Sequence, residues 1–104
     1  MMQEISMAQE MLKMAQEITM KEAPEEALGI VLKSYLKQKI AEYEEKIRHF
    51  EKKYGMGIKE FYEKLGKEFS LSWEHEKDYM DWDWATAGLM YLKEKLEKLE
   101  THGD

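Results

Sequence analysis

Glu74, Asp78 and Asp81 recur at i, i+4 and i+7, so on a helix their three carboxylates share one face. Crowded acids of this kind supply the oxygen ligands that a divalent cation takes. They also suit a helix N-terminus, where the dipole favours negative charge, and an antiparallel neighbour would bring Arg48, Lys52 and Lys53 beside them. Pairing with those bases is the simplest expectation. Docking on a basic groove of a partner and binding a cation are the alternatives, and spacing alone does not decide whether the acids at 74–83 hold a cation or only pair with the bases.

Other residues capable of chemistry lack the company that chemistry requires. His49, His75 and His102 are the only histidines, and none repeats the Glu-x-x-His spacing of a helical di-metal site. Glu45 and His49 stand at i, i+4, a pairing that a Glu-rich helix produces by chance. There is no Cys and no Gly-x-Ser-x-Gly, and the serines at 6, 34, 70 and 72 have no evident His and acid partners. Gly55 and Gly57 read as a helix stop and a turn, not as a phosphate cradle. The expectation is a protein that is not an enzyme, with no cofactor and no resident metal.

Four helical stretches must position these side chains. The first, Met1 to about Lys21, repeats Met7-Ala8-Gln9-Glu10-Met11 seven residues later as Met14-Ala15-Gln16-Glu17-Ile18, which places both copies on one face. Its apolar face comprises Ile5, Met7, Ala8, Met11, Leu12, Met14, Ala15 and Ile18. Ala23-Pro24-Glu25-Glu26 is a break followed by a helix start. The second helix carries a seam at Leu36, Ile40, Tyr43, Ile47, Phe50 and Tyr54 and is expected to stop at Gly55. Ile58, Phe61, Tyr62 and Leu65 fit a short third helix ending at Gly66, and Ser70 or Ser72 is a candidate N-cap for a fourth, from about Trp73 to Leu99.

The fourth helix bears two apolar stripes. Trp82, Ala85, Leu89, Leu92, Leu96 and Leu99 form one, and Trp73, Met80, Trp84, Ala87 and Tyr91 the other. At 3.6 residues per turn their centres lie roughly 140° apart, too far for one neighbouring helix to cover both. The sequence therefore predicts a sandwiched helix, with one stripe on the second helix and the other on the Met-rich first helix or on another polypeptide. The fold class that follows is all-α: a helical bundle of two long antiparallel helices, a short connecting helix and an N-terminal Met-rich helix. Residues 1–22 form a packing or partner arm, 24–100 the core domain and 101–104 a frayed tail.

Composition agrees. With 104 residues and 43% hydrophobic content the chain suits one domain, and a single Pro with six Gly argues against a many-stranded β fold. Absence of Cys and of a long apolar run predicts a cytoplasmic chain without membrane segments. Asparagine is absent and 37% of residues are charged, as in heat-adapted proteins, although nine Met run against that inference. The net charge of −6 is unevenly spread: residues 1–32 are net −4, 33–67 net +4 and 74–83 net −4. The basic stretch interleaves aromatics, but most of them occupy seam positions, and an acidic chain is poorly suited to phosphate backbones, so nucleic acid is not an expected partner.

Lys53-Tyr54-Gly55-Met56 with Glu60-Phe61, then Ser72-Trp73-Glu74, Glu76-Lys77-Asp78-Tyr79 and Asp81-Trp82-Asp83-Trp84, resemble a group of short bacterial and archaeal helical proteins associated with toxin–antitoxin pairs in the antitoxin role. The resemblance covers roughly residues 40–92; those proteins more often carry Glu where Asp83 stands, and residues 1–32 lie outside it. It implies a toxin-like protein partner. Combined with the leftover faces, it makes Met7, Met11, Met14, Ile18, Trp73, Glu74, Asp78, Met80, Asp81 and Trp84 the candidate protein-binding residues. A homo-oligomer of structural role, associating through the heptad-spaced helices, is the alternative, and an acidic metal-binding bundle a third.

Overall fold

The computed structural model describes residues 6–102, and over them the chain is all-helical with four helices: α1 (Met7–Thr19), α2 (Pro24–Tyr54), α3 (Ile58–Lys64) and α4 (Trp73–His102). α1 begins where Ser6 forms a capping box, its hydroxyl accepting from the Gln9 N–H at 3.2 Å while the Gln9 side-chain oxygen accepts from the Ser6 N–H at 3.0 Å. The expected start at Met1, and the place of Ile5 on the apolar face, lie outside the described residues. Met20 ends α1 in the left-handed region at φ 59°.

Pro24 occupies the first turn of α2, and Gly55, at φ 69°, closes it by donating to the Glu51 carbonyl at 2.7 Å. α3 runs from its Gly57 cap to Leu65, where the chain turns extended. Gly66, at φ 81°, then makes the bend that lets its N–H donate to the Phe69 carbonyl. Of the two candidate caps it is Ser72 that starts α4, its hydroxyl accepting from the His75 N–H at 3.2 Å. α4 continues to His102, so Thr101 and His102 are helical where a frayed tail was expected; Gly103 and Asp104 lie outside the described residues.

α2 and α4 are each about 45 Å long at 1.5 Å per residue and pack antiparallel. Trp82 stacks on Phe50 with ring centroids 5.5 Å apart, Gly88 faces Tyr43, and Leu99 lies with Gly29 and Ile30 at the far end. The first α4 stripe thus meets the α2 seam as expected: Trp82 and Ala85 are buried, and Leu89, Leu92, Leu96 and Leu99 are half-buried. On α2, Leu36, Ile40 and Phe50 are buried, and Tyr43, Ile47 and Tyr54 half-buried. The densest packing surrounds Trp82, 1% exposed, and Phe61, with Phe50 completing a cluster that Tyr54, Phe69 and Tyr79 enclose. Tyr62 departs from its expected apolar role, being exposed, with its ring tilted 36° against that of Tyr79 at 5.1 Å between centroids.

α1 packs beside the first turns of α2, with Ala15 buried and Leu12, Gln16 and Thr19 half-buried. The turn at Met20–Ala23 ties it there, held by the Gln16 amide donating to the Glu22 carbonyl and by the Lys21–Glu26 ion pair. Thirteen residues span about 20 Å. α1 therefore covers only the N-terminal part of α2, whereas the outer stripe of α4 stands against the C-terminal half. Of the two covers expected for the second stripe of α4, α1 is not the one: within one chain that stripe is exposed. The molecule measures 69 × 35 × 17 Å, scarcely more than one helix thick.

Candidate protein-binding faces

The outer stripe of α4 is exposed, with Met80 to Tyr91 apolar at 4-3-4 spacing and Trp73 two turns before them, beyond Glu76 and Lys77. Trp73 and Trp84 are 74% and 75% exposed, and Met80, Ala87 and Tyr91 are exposed between and beyond them. Leaving two indoles in water forfeits a hydrophobic gain of a few kcal/mol that burial would supply. Trp84, Ala87 and Tyr91 also wall a cleft of about 500 Å³, completed by Tyr43, Gly88, Leu92 and Asp83. Gly88 belongs there sterically, since a Cβ at this position would come within 3.0 Å of the Tyr43 ring.

On α1, Met7, Met11, Met14 and Ile18 are all exposed. Their 4-3-4 spacing forms a seam about 100° from the buried Ala15 face, so the heptad repeat points outward while its neighbouring residues pack. The two candidate surfaces do not merge, because α1 stays at the opposite end of α2 from Trp73.

The acids gather at the N-terminal end of α4, but only partly with the bases expected. Lys53 donates to Asp78 at 2.6 Å and to Glu74 at 3.1 Å, and Tyr54 donates its hydroxyl to the same Asp78 oxygen. Arg48 pairs instead with Glu45, one turn back on its own helix at 2.8 Å, and Lys52 takes part in no ion pair among the described residues. Asp81 is held by Lys77 at 2.7 Å. Among the described residues no group of three His, Asp or Glu side chains is gathered to hold a metal; Lys53 occupies the point between Glu74 and Asp78 where a cation would sit.

Burial tends to raise the Asp78 pKa, but the hydrogen bonds from Lys53 and Tyr54 outweigh it and hold the carboxyl below its usual range. The same contact works oppositely on the phenol: burial first, then the Asp78 carboxylate, push Tyr54 up to about 12. Lys53 is held more firmly protonated by its bonds to Asp78 and Glu74. This clasp ties α2 to α4 beside the aromatic core. Its chemistry is cohesive: a satisfied acid, a protonated amine and a protonated phenol leave no free base or nucleophile.

Two features escaped the sequence reading. Tyr54 holds a seam position, yet its hydroxyl also anchors Asp78. Leu28, Leu32 and Tyr35 form an exposed ridge on α2, legible only in their i, i+4, i+7 spacing beside the longer seam. Among the described residues no helix is long and apolar enough to cross a membrane. No protein-family model, curated protein or solved structure matches the chain.

Proposed function

We propose that this chain is a non-enzymatic protein-binding module, working through the outer stripe of α4 and the methionine seam of α1. One observation carries the reading: Trp73, Met80, Trp84 and Tyr91 stand exposed in a line along one helix. Contiguous apolar patches of several hundred Å² on a folded surface mark interaction sites, and Trp and Tyr are the residues that most often dominate binding energy.

The partner fits the antitoxin role. The acids from Glu74 to Asp83 flank Trp73, Met80 and Trp84, so a basic toxin surface would be steered to the stripe electrostatically and held there by the rings. Met7, Met11, Met14 and Ile18 supply a second, adaptable surface, since thioether side chains repack readily against unlike partners. Asp78 and Asp81, each engaged by a lysine of its own chain, contribute field more than direct contact.

Co-expression with the products of neighbouring genes tests this reading. A tagged chain should carry one of them through purification, relieve its toxicity, and lose both properties when Trp84 and Met14 are replaced by Glu. If no neighbouring product co-purifies and none is toxic alone, the antitoxin role is refuted.

A further inference from the structure

We propose that the face carrying Trp84 is a dimer interface, on which the α4 stripe of each copy lies over the Leu28–Leu32–Tyr35 ridge of a second copy of this chain. The proposal rests on the protein-binding reading: in the free protein a second copy occupies the α4 stripe, a toxin-like partner at the stripe would displace it, and the methionine seam of α1 stays open in both states.

Three observations carry it. First, the molecule is one layer of helices. Its radius of gyration is 20.3 Å, against about 13 Å for a compact domain of this length. Outside the aromatic cluster the buried side chains are few and mostly small: Ala15, Ala27, Leu36, Ile40 and Ala85. A single layer encloses a core only when a second layer closes over it, and stable domains are built from two.

Second, the ridge and the stripe lie on the same side of that layer. Leu28, Leu32, Tyr35, Lys39 and Lys46 follow one line down α2, and Lys46 lines a cleft with Trp84 and Asp81. The ridge sits at one end of the molecule and the stripe towards the other. A two-fold axis across the long direction therefore sets each stripe over the opposite ridge, as an isologous interface requires. The apolar spacings correspond, 4-3 at Leu28, Leu32 and Tyr35 and 4-3-4 at Met80, Trp84, Ala87 and Tyr91. This antiparallel overlay keeps the two acidic 74–83 segments apart.

Third, the area suffices. Trp73, Trp84 and Tyr91 at their observed exposures offer on the order of 400 Å² of ring surface. With Met80, Leu28, Leu32 and Tyr35 the face approaches the roughly 800 Å² per partner of a stable complex.

Solution mass by light scattering on the full chain tests this. The unmodified protein should be a dimer, and Trp84→Glu and Leu32→Lys should each weaken association at least tenfold. Met11→Glu, on α1, should leave the dimer intact. Mixing the first two variants should restore a dimer, because the mixed pair regains one native stripe-on-ridge contact and gains a Glu–Lys pair at the other. Should either variant lose its helical circular dichroism, Met80→Glu and Tyr35→Lys probe the same surfaces. A monomeric unmodified chain overturns the proposal even if a neighbouring-gene product binds it, which would leave the partner reading standing. A dimer broken by Trp84→Glu but untouched by Leu32→Lys overturns it too, since the stripe would then rest on something other than the ridge.

Discussion

Asp78 accepts from both Lys53 and Tyr54, so its ionisation is coupled to folding. Its folded pKa lies below the unfolded value of about 3.9, which means its contribution is complete above that pH and is lost as pH falls through the depressed folded value. Tyr54 behaves in the opposite sense. Its folded pKa is raised to about 12, so its contribution is complete below about pH 10 and disappears as pH climbs from there. Urea midpoints recorded across pH should fall at both extremes. Asp78→Asn should flatten the acid limb and cost about 1 kcal/mol at neutral pH, a modest figure because Lys53 is part-exposed. Met20 offers a second test at this scale. A non-glycine residue at φ 59° costs on the order of 1 kcal/mol, and its side chain is 90% exposed, so Met20→Gly should raise the midpoint.

At the scale of elements, the joint between α2, α3 and α4 depends on Trp82, which meets Phe50 and Phe61 at centroid distances of 5.5 and 5.6 Å. Trp82→Ala should cost about 3–5 kcal/mol, a large share of the 5–15 kcal/mol typical of a domain, and be read as a collapse of the thermal midpoint. Two glycines inside helices make a sharper comparison. A Cβ on Gly29 of α2 meets nothing within 4 Å, so Gly29→Ala should stabilise the chain by about 1 kcal/mol through helix propensity. Gly88→Ala in α4 should gain less, because the new methyl must displace the Tyr43 ring. α1 touches neither the aromatic cluster nor the Lys53–Asp78 clasp. A chain lacking residues 1–22 should therefore still unfold cooperatively and keep its near-ultraviolet signal from Trp82.

For the whole molecule, shape is the measurable quantity. A Trp84→Glu chain held monomeric should scatter with a radius of gyration near 20.3 Å and a longest dimension near 69 Å, as an elongated plate would. A value well below 20.3 Å would instead require α1 to fold across the stripe. The unmodified chain should bind a hydrophobic dye less than the monomeric variant does, since pairing of two layers removes Trp73, Met80 and Tyr91 from water.

Much of this architecture was legible from residue order alone. The 4-3 spacing from Leu36 to Tyr54 and from Trp82 to Leu99 determined two long helices and their mutual seam, because helical periodicity is a local property and burial of a continuous stripe requires an equal partner. Pro24 and Gly55 determined the bounds of α2 through backbone dihedrals and capping, which are also local, whereas the choice of Ser72 over Ser70 as the cap of α4 came with the structure. The two-striped character of α4 followed from the same arithmetic. What lay beyond the sequence was which neighbour each face would meet. The Met20–Ala23 turn commits α1 to the near end of α2, so Trp73 and Trp84 stay in water although a covering helix exists in the same chain. Lys53, not Arg48, takes the acids, because Arg48 finds Glu45 a turn away on its own helix. Both outcomes depend on distances between elements, which only the tertiary structure decides.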